Sequence, residues 1–238
     1  MKTIKLIAVH FFLLSGVLCL SVSGQGTFQN LNFEAASVSG DSPGQLIPIS
    51  AGLPGWNGYL TDTSTSVTTP QTQVVYDGIS TGGAFISIID QNEPGVQPLQ
   101  GSYSVFLFGG GAPSVIAASI SQTGLIPVGT QTLLMDAYTA NASPVVAIDG
   151  QTISMLPVQT FPNYIEYDGN ISSFAGQTAT LSFTDPPPTS MAPSQFLLDD
   201  IQFSPVATPE PSTWALIVMG GMTFGVQQWR KRNKITPT

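Results

Sequence analysis

The segment TATLSFTD, Thr178 to Asp185, decides how the chain is read. Ala179, Leu181 and Phe183 alternate with Thr180, Ser182 and Thr184. In an extended backbone successive side chains point to opposite faces, so three apolar groups line one side and three hydroxyls the other. That is a half-buried strand.

Working outward, short runs of β-branched, aromatic and aliphatic residues recur between turn formers: TQVVYDG, AFISIID, YSVFLFGG, SVIAASISQ, QTLLMDAYTA, NYIEYDGNIS and FLLDDIQFS. Between Gly26 and Val206 no sustained helical period appears, and Pro or Gly interrupts almost every stretch, leaving helices no room. In PVVAIDGQTIS the pair Asp149-Gly150 supplies the positive φ angles of a two-residue turn, which predicts a hairpin over Val145 to Ser154. Strands at this spacing without intervening helices predict an all-β fold, an antiparallel β-sandwich or jelly roll over residues 25–206. TDTSTSVTTP reads as a polar loop or edge, and DPPPTSMAPS as a rigid connector.

Charge separates this body from the two ends. The bases are Lys2 and Lys5 at the front and Arg230, Lys231, Arg232 and Lys234 at the back, while 13 of the 14 acids lie between Glu34 and Asp200. A body without Lys or Arg has no means of neutralising phosphates, so nucleic-acid partners are excluded. The single His10 and single Cys19 both fall in the first twenty residues.

That opening has a basic start, an apolar run from Ile7 to Leu20, and small residues at Ser21, Ser23 and Gly24, the build of a secretory signal peptide over residues 1–24. The run is short for a spanning helix. Val17 and Leu18 before Cys19 argue against lipoprotein processing, which wants small side chains there.

At the other end, residues 213–229 are mostly apolar, about 17 in all and near the lower limit for a transmembrane helix. Trp214 and Trp229 stand at its interfaces, and the bases beyond it favour the cytoplasmic side. Just before it stands Pro209-Glu210-Pro211. This order of tripeptide, hydrophobic helix and Arg230-Lys231-Arg232, spread over residues 207–234 behind a signal peptide, resembles the PEP-CTERM sorting signal of exported bacterial proteins. The resemblance implies an exosortase-type processing enzyme as partner. It also implies transient membrane anchoring, then release to the cell surface or extracellular matrix. It says nothing about the activity of the body.

Within the body, NLNFEAASVSG at the start, LPGWNGY some twenty residues on, and FLLDDIQFS at the end resemble the galactose-binding-like jelly-roll modules of carbohydrate-binding proteins. Such modules often open on an Asn-x-x-Phe-Glu strand and close on an Asp-Asp-Ile strand, the two sharing a structural calcium. The resemblance makes Glu34, Asp199 and Asp200 candidate ligands. Calcium takes roughly six to eight hard oxygen ligands, which agrees with carboxylates gathered from distant sequence. Strand parity places Asp199 with Leu197, Ile201 and Phe203, and Asp200 with Leu198 and Gln202, which favours Asp199. The competing reading is a pair of exposed acids that keeps a strand edge from pairing.

Without His, Cys, Lys or Arg in the body, a Ser-His-Asp triad, a cysteine nucleophile, a lysine Schiff base and a histidine zinc site are excluded. Glycoside hydrolysis by two carboxylates remains, with Asp136, Asp149, Glu166 and Asp168 available. Asp149 and Asp168 also read as turn residues. For sugar binding the aromatic candidates are Trp56, Tyr59, Tyr76, Tyr103, Tyr138, Tyr164 and Tyr167, with Trp56 also suited to plugging the core. Asn141 and Asn170 fit the glycosylation acceptor pattern. The sequence thus leads to the expectation of a non-enzymatic exported protein, structural or adhesive with extracellular polysaccharide. The alternatives are a calcium-stabilised carbohydrate-binding module and, ranked last, a carboxylate-dependent glycosidase.

Overall fold

Two sheets face each other across an apolar core. The computed structural model describes residues 26–79, 83–110, 115–141, 143–188 and 192–207. The signal-peptide, sorting-motif and transmembrane assignments, Pro209, Glu210, Pro211, Arg230, Lys231 and Arg232 included, lie outside the described residues.

With strands numbered along the chain, the larger sheet has eight. In spatial order they are β1 (Leu46–Pro48), β4 (Gln73–Tyr76), β5 (Phe85–Ile89), β6 (Ser104–Phe108), β14 (Gln195–Ser204), β8 (Thr132–Ala140), β12 (Ile165–Asn170) and β11 (Leu156–Thr160). The smaller has six: β10 (Gln151–Ile153), β9 (Val145–Ile148), β13 (Thr178–Asp185), β7 (Ile116–Leu125), β2 (Asn57–Asp62) and β3 (Val67–Gln71). All neighbours run antiparallel except β4 and β5. Among the described residues helix is limited to one turn, α1 (Ile49–Gly52), and a 3₁₀ turn over Ser172–Phe174.

β13 behaves as its alternation requires. Ala179, Leu181 and Phe183 are buried in the core, and Thr180 on the other face meets Thr123 of β7 at 2.8 Å between hydroxyls. Trp56 fills the core between Phe33 and Phe183, and its indole N–H donates to the Asn30 carbonyl at 3.0 Å. The hairpin β9–β10 turns on Asp149 (φ 48°) and Gly150 (φ 78°), and the Asp149 carboxylate also accepts the Thr180 N–H.

Two expectations change. The opening NLNFE is a series of turns rather than a strand, with Asn30 at φ 51° and Phe33 at φ 57°. It pushes Phe28, Leu31 and Phe33 into the core, and still meets the last strand where the Ile201 N–H donates to the Leu31 carbonyl. The parity of FLLDDIQFS is also broken. Asp200 sits at φ 41° in a register shift, so Phe196, Leu198, Ile201 and Phe203 all face the main core. Leu197 and Asp199 face the opposite side of the sheet, where Leu197 joins a second apolar cluster with Ile89, Leu99, Phe106 and Phe108.

Candidate functional site

The side of the large sheet turned away from the core carries the chemistry. Register puts Glu166 opposite Asp136 and Asp136 opposite Asp199, so three carboxylates from three adjacent strands form one transverse row. Beyond Asp199 comes Ser104 of β6, whose hydroxyl donates to Asp199 Oδ2 at 2.5 Å. Two residues further along β14 and β8, about 6.6 Å at strand rise, lies an apolar row in which Leu197 is opposite both Tyr138 and Phe106.

The segment from Asp90 to Tyr103 folds over this face because Val96 and Leu99 bury against the second cluster. Gln100 then fastens it to the acids. Its N–H donates to Asp199 Oδ2 at 3.1 Å, and its side-chain amide donates to Asp136 Oδ2 at 2.7 Å and to the Tyr164 hydroxyl at 3.3 Å. The Asp200 N–H occupies Asp199 Oδ1 at 2.7 Å.

Asp199 is 1% exposed, and burial pushes its carboxyl up to about 7 against the lowering effect of those donors. Burial likewise raises Asp136 to about 6, with Asp200 and Glu166 adding repulsion. The Tyr164 hydroxyl is raised by burial and then by the charges of Asp136, Glu166, Asp200 and Asp199, so the field of all four acids reaches that ring.

Beside the row are two hollows. One, of about 360 Å³, is lined by Val96, Gln97, Leu99, Tyr138, Asn163 and Leu197 among others. The second, of about 260 Å³, shares Tyr138 and Asn163 and adds Phe161, Pro162, Tyr164 and Tyr167. Tyr138 is 47% exposed, and the Phe161 and Tyr164 rings stack at 4.5 Å between centroids. A larger hollow of about 480 Å³ opens at the β2–β3 edge of the small sheet. It has no aromatic ring, and its one carboxylate, Asp62, is bound to Ser64 and Thr65.

The residues named from sequence are thus partly gathered. Asp136, Glu166 and Asp168 share the outer face, whereas Asp149 belongs to a turn on the other sheet. Of the aromatics, Tyr138 and Tyr164 reach the hollows and Tyr167 borders one while packing on the core. Trp56 and Tyr76 are buried, Tyr103 packs on the core, and Tyr59 lies on the small sheet. Gln97, Gln100 and Asn163 were not singled out, since they come from irregular segments and no periodicity points to them.

Hydrogen-bond donors surround the candidate calcium ligands. Glu34 Oε1 accepts the Ser102 and Tyr103 N–H groups, Asp199 accepts three donors on its two oxygens, and Asp200 Oδ2 accepts the Gln202 amide. N–H and O–H groups present positive ends where a cation would need bare oxygen, and among the described residues no three His, Cys, Asp or Glu form a metal-holding group. Glu34, Asp199 and Asp200 therefore do not fit a shared calcium. Glu34 and Asp199 hold the Gln100–Ser104 segment instead, and Asp200 holds the Gln202 amide.

No family model matches the chain, and no curated protein matches it in sequence. Solved structures do align with much of it. An apo cyclase from Fischerella sp. aligns over 77% of this chain and 97% of its own at 16% identity and a TM-score of 0.43. The carbohydrate-binding module TmCBM61, in complex with β-1,4-galactotriose, aligns over 75% and 97% at 12% identity and a TM-score of 0.35. The family 11 carbohydrate-binding module from Clostridium thermocellum, with a mixed-linked tetrasaccharide, aligns over 71% and 99% at 11% identity and a TM-score of 0.35. At these identities and TM-scores nothing follows beyond the likeness itself, and the β-sandwich is defined by the two sheets of this chain.

One expectation is corrected here. The exclusion of enzymatic activity does not stand: a protein named a cyclase aligns with 77% of this chain. The missing His, Cys, Lys and Arg rule out only the chemistries that require those side chains.

Proposed function

We propose that this chain is an exported protein that binds extracellular polysaccharide through the two hollows beside Tyr138. The observation that carries the reading is Tyr138 itself, a ring 47% exposed on a rigid central strand with a hollow on either side. Pyranose rings stack their C–H faces on such rings, and the flanking Gln97 and Asn163 amides are suited to sugar hydroxyls. The export half of the reading rests on the signal-peptide pattern and on Pro209-Glu210-Pro211 with its following helix and bases.

Titration of the purified protein against a panel of soluble glycans tests the binding. Tyr138→Ala is expected to weaken the affinity for any bound glycan at least about tenfold, the loss of one aromatic contact, without moving the melting temperature. Undiminished binding by that variant, or no binding by the parent, overturns it. For sorting, an epitope placed after Arg232 is expected to be lost from the surface-exposed form in a host with an exosortase and retained in a host without one. Retention in both hosts overturns the sorting role.

A further inference from the structure

We infer that the hollows beside Tyr138 select amino sugars with free, protonated amines over neutral, N-acetylated or acidic sugars. This rests on the polysaccharide-binding reading and gives it a ligand class. The geometry comes first. Glu166 is the diagonal neighbour of Tyr138, on the adjoining strand and two residues past its partner position, which sets the two residues about 7–8 Å apart. Asp136 is two residues along Tyr138's own strand on the same face, and Asp199 is opposite Asp136. A sugar stacked on Tyr138 therefore carries its substituents toward Glu166, while Asp136 and Asp199, 4% and 1% exposed beneath Gln100, act on it only through their field.

The second observation is the absence of any opposing charge. No Lys, Arg or His occurs between Phe11 and Trp229, so nothing in the body balances the row or would receive a uronate, sulfate or phosphate. Tyr164 lines one hollow, and burial first, then the combined field of Asp136, Glu166, Asp200 and Asp199, disfavours ionising its hydroxyl. The same field that opposes a phenolate favours an ammonium at that edge. An N-acetyl group in the same place carries no charge and covers the nitrogen with an acetyl.

The test is calorimetric titration of the full-length protein in detergent with two probes, the β-1,4-linked hexamer of glucosamine and the corresponding hexamer of N-acetylglucosamine. In low-salt buffer at about pH 6.5, above the Asp136 value of about 6 so that this carboxylate is largely ionised, the glucosamine hexamer is expected to bind about tenfold tighter, the scale of one charge-assisted hydrogen bond. Raising the salt should narrow the ratio, since the pairing occurs at a surface. Glu166→Gln, checked for an unchanged melting temperature, should reduce the ratio to about threefold or less. Equal affinities, a preference for the N-acetylated hexamer, or a lysine hexapeptide binding as tightly as the glucosamine hexamer would each overturn the selectivity while leaving polysaccharide binding in place. Failure of both hexamers to bind would overturn the selectivity, and failure of the whole glycan panel would remove the underlying reading as well.

Discussion

Asp199 shows how burial without bases alters a carboxylate. Its two oxygens accept three hydrogen bonds, yet burial prevails and raises it to about 7. Asp185 repeats the pattern at the other end of the sandwich: it accepts from the Ser194 hydroxyl at 2.5 Å and the Gly109 N–H at 2.9 Å, and burial still lifts it to about 6. An acid whose pKa is raised on folding binds its proton more tightly in the native state. Its stabilisation is complete below the unfolded value near 3.8 and is lost as pH rises through the folded value. The protein is therefore expected to melt higher near pH 4–5 than near pH 8, by on the order of 5 kcal/mol in unfolding free energy for the pair. Denaturant midpoints across that range measure it, and a midpoint that rises toward pH 8 contradicts it. Asp199→Leu should cost about 3 kcal/mol or more at any pH, because it strands the Gln100, Ser104 and Asp200 donors.

At the scale of elements, the bulge in β14 governs which side chains meet. Asp200 at φ 41° uses one residue to reset the alternation, and that single step sends Ile201 and Phe203 to the main core while Asp199 stays on the outer face. Asp tolerates this region because its short polar side chain does, and a β-branched residue does not. Asp200→Val is expected to lower stability by about 1–3 kcal/mol, while Asp200→Gly holds or raises it, both read from thermal melts. Equal effects of the two substitutions would mean that the backbone there does not need its positive φ. This bulge also marks where the sequence stopped being legible. Thr178 to Asp185 and the Asp149-Gly150 turn could be read directly because alternation and turn chemistry are local. In FLLDDIQFS strict alternation led to the wrong faces, since nothing within the segment announces an inserted residue. The acidic row was illegible for a related reason: Glu166, Asp136 and Asp199 become neighbours only through register across three strands. Gln100, which ties them together, lies in a loop.

For the whole molecule the decisive quantity is the unbalanced charge. Thirteen acids and no base lie between Glu34 and Asp200, so the folded body holds a formal charge of about −13 with no internal ion pair to offset it. Compaction brings these charges together, and self-repulsion opposes it. Screening should therefore favour the native state: raising sodium chloride from about 0.01 M to 1 M shortens the Debye length from roughly 30 to 3 Å. The melting temperature is expected to climb across that range, most steeply at the dilute end. A divalent ion gives the same rise only by screening if Glu34, Asp199 and Asp200 are engaged as their hydrogen bonds indicate. Melts at fixed ionic strength separate the two effects. Replacing part of the sodium with calcium, or adding chelator, should leave the midpoint where the ionic strength puts it. A chelator-sensitive midpoint would show instead that these carboxylates exchange their N–H donors for a cation, and that the Gln100–Ser104 segment changes its hold on the sheet when they do.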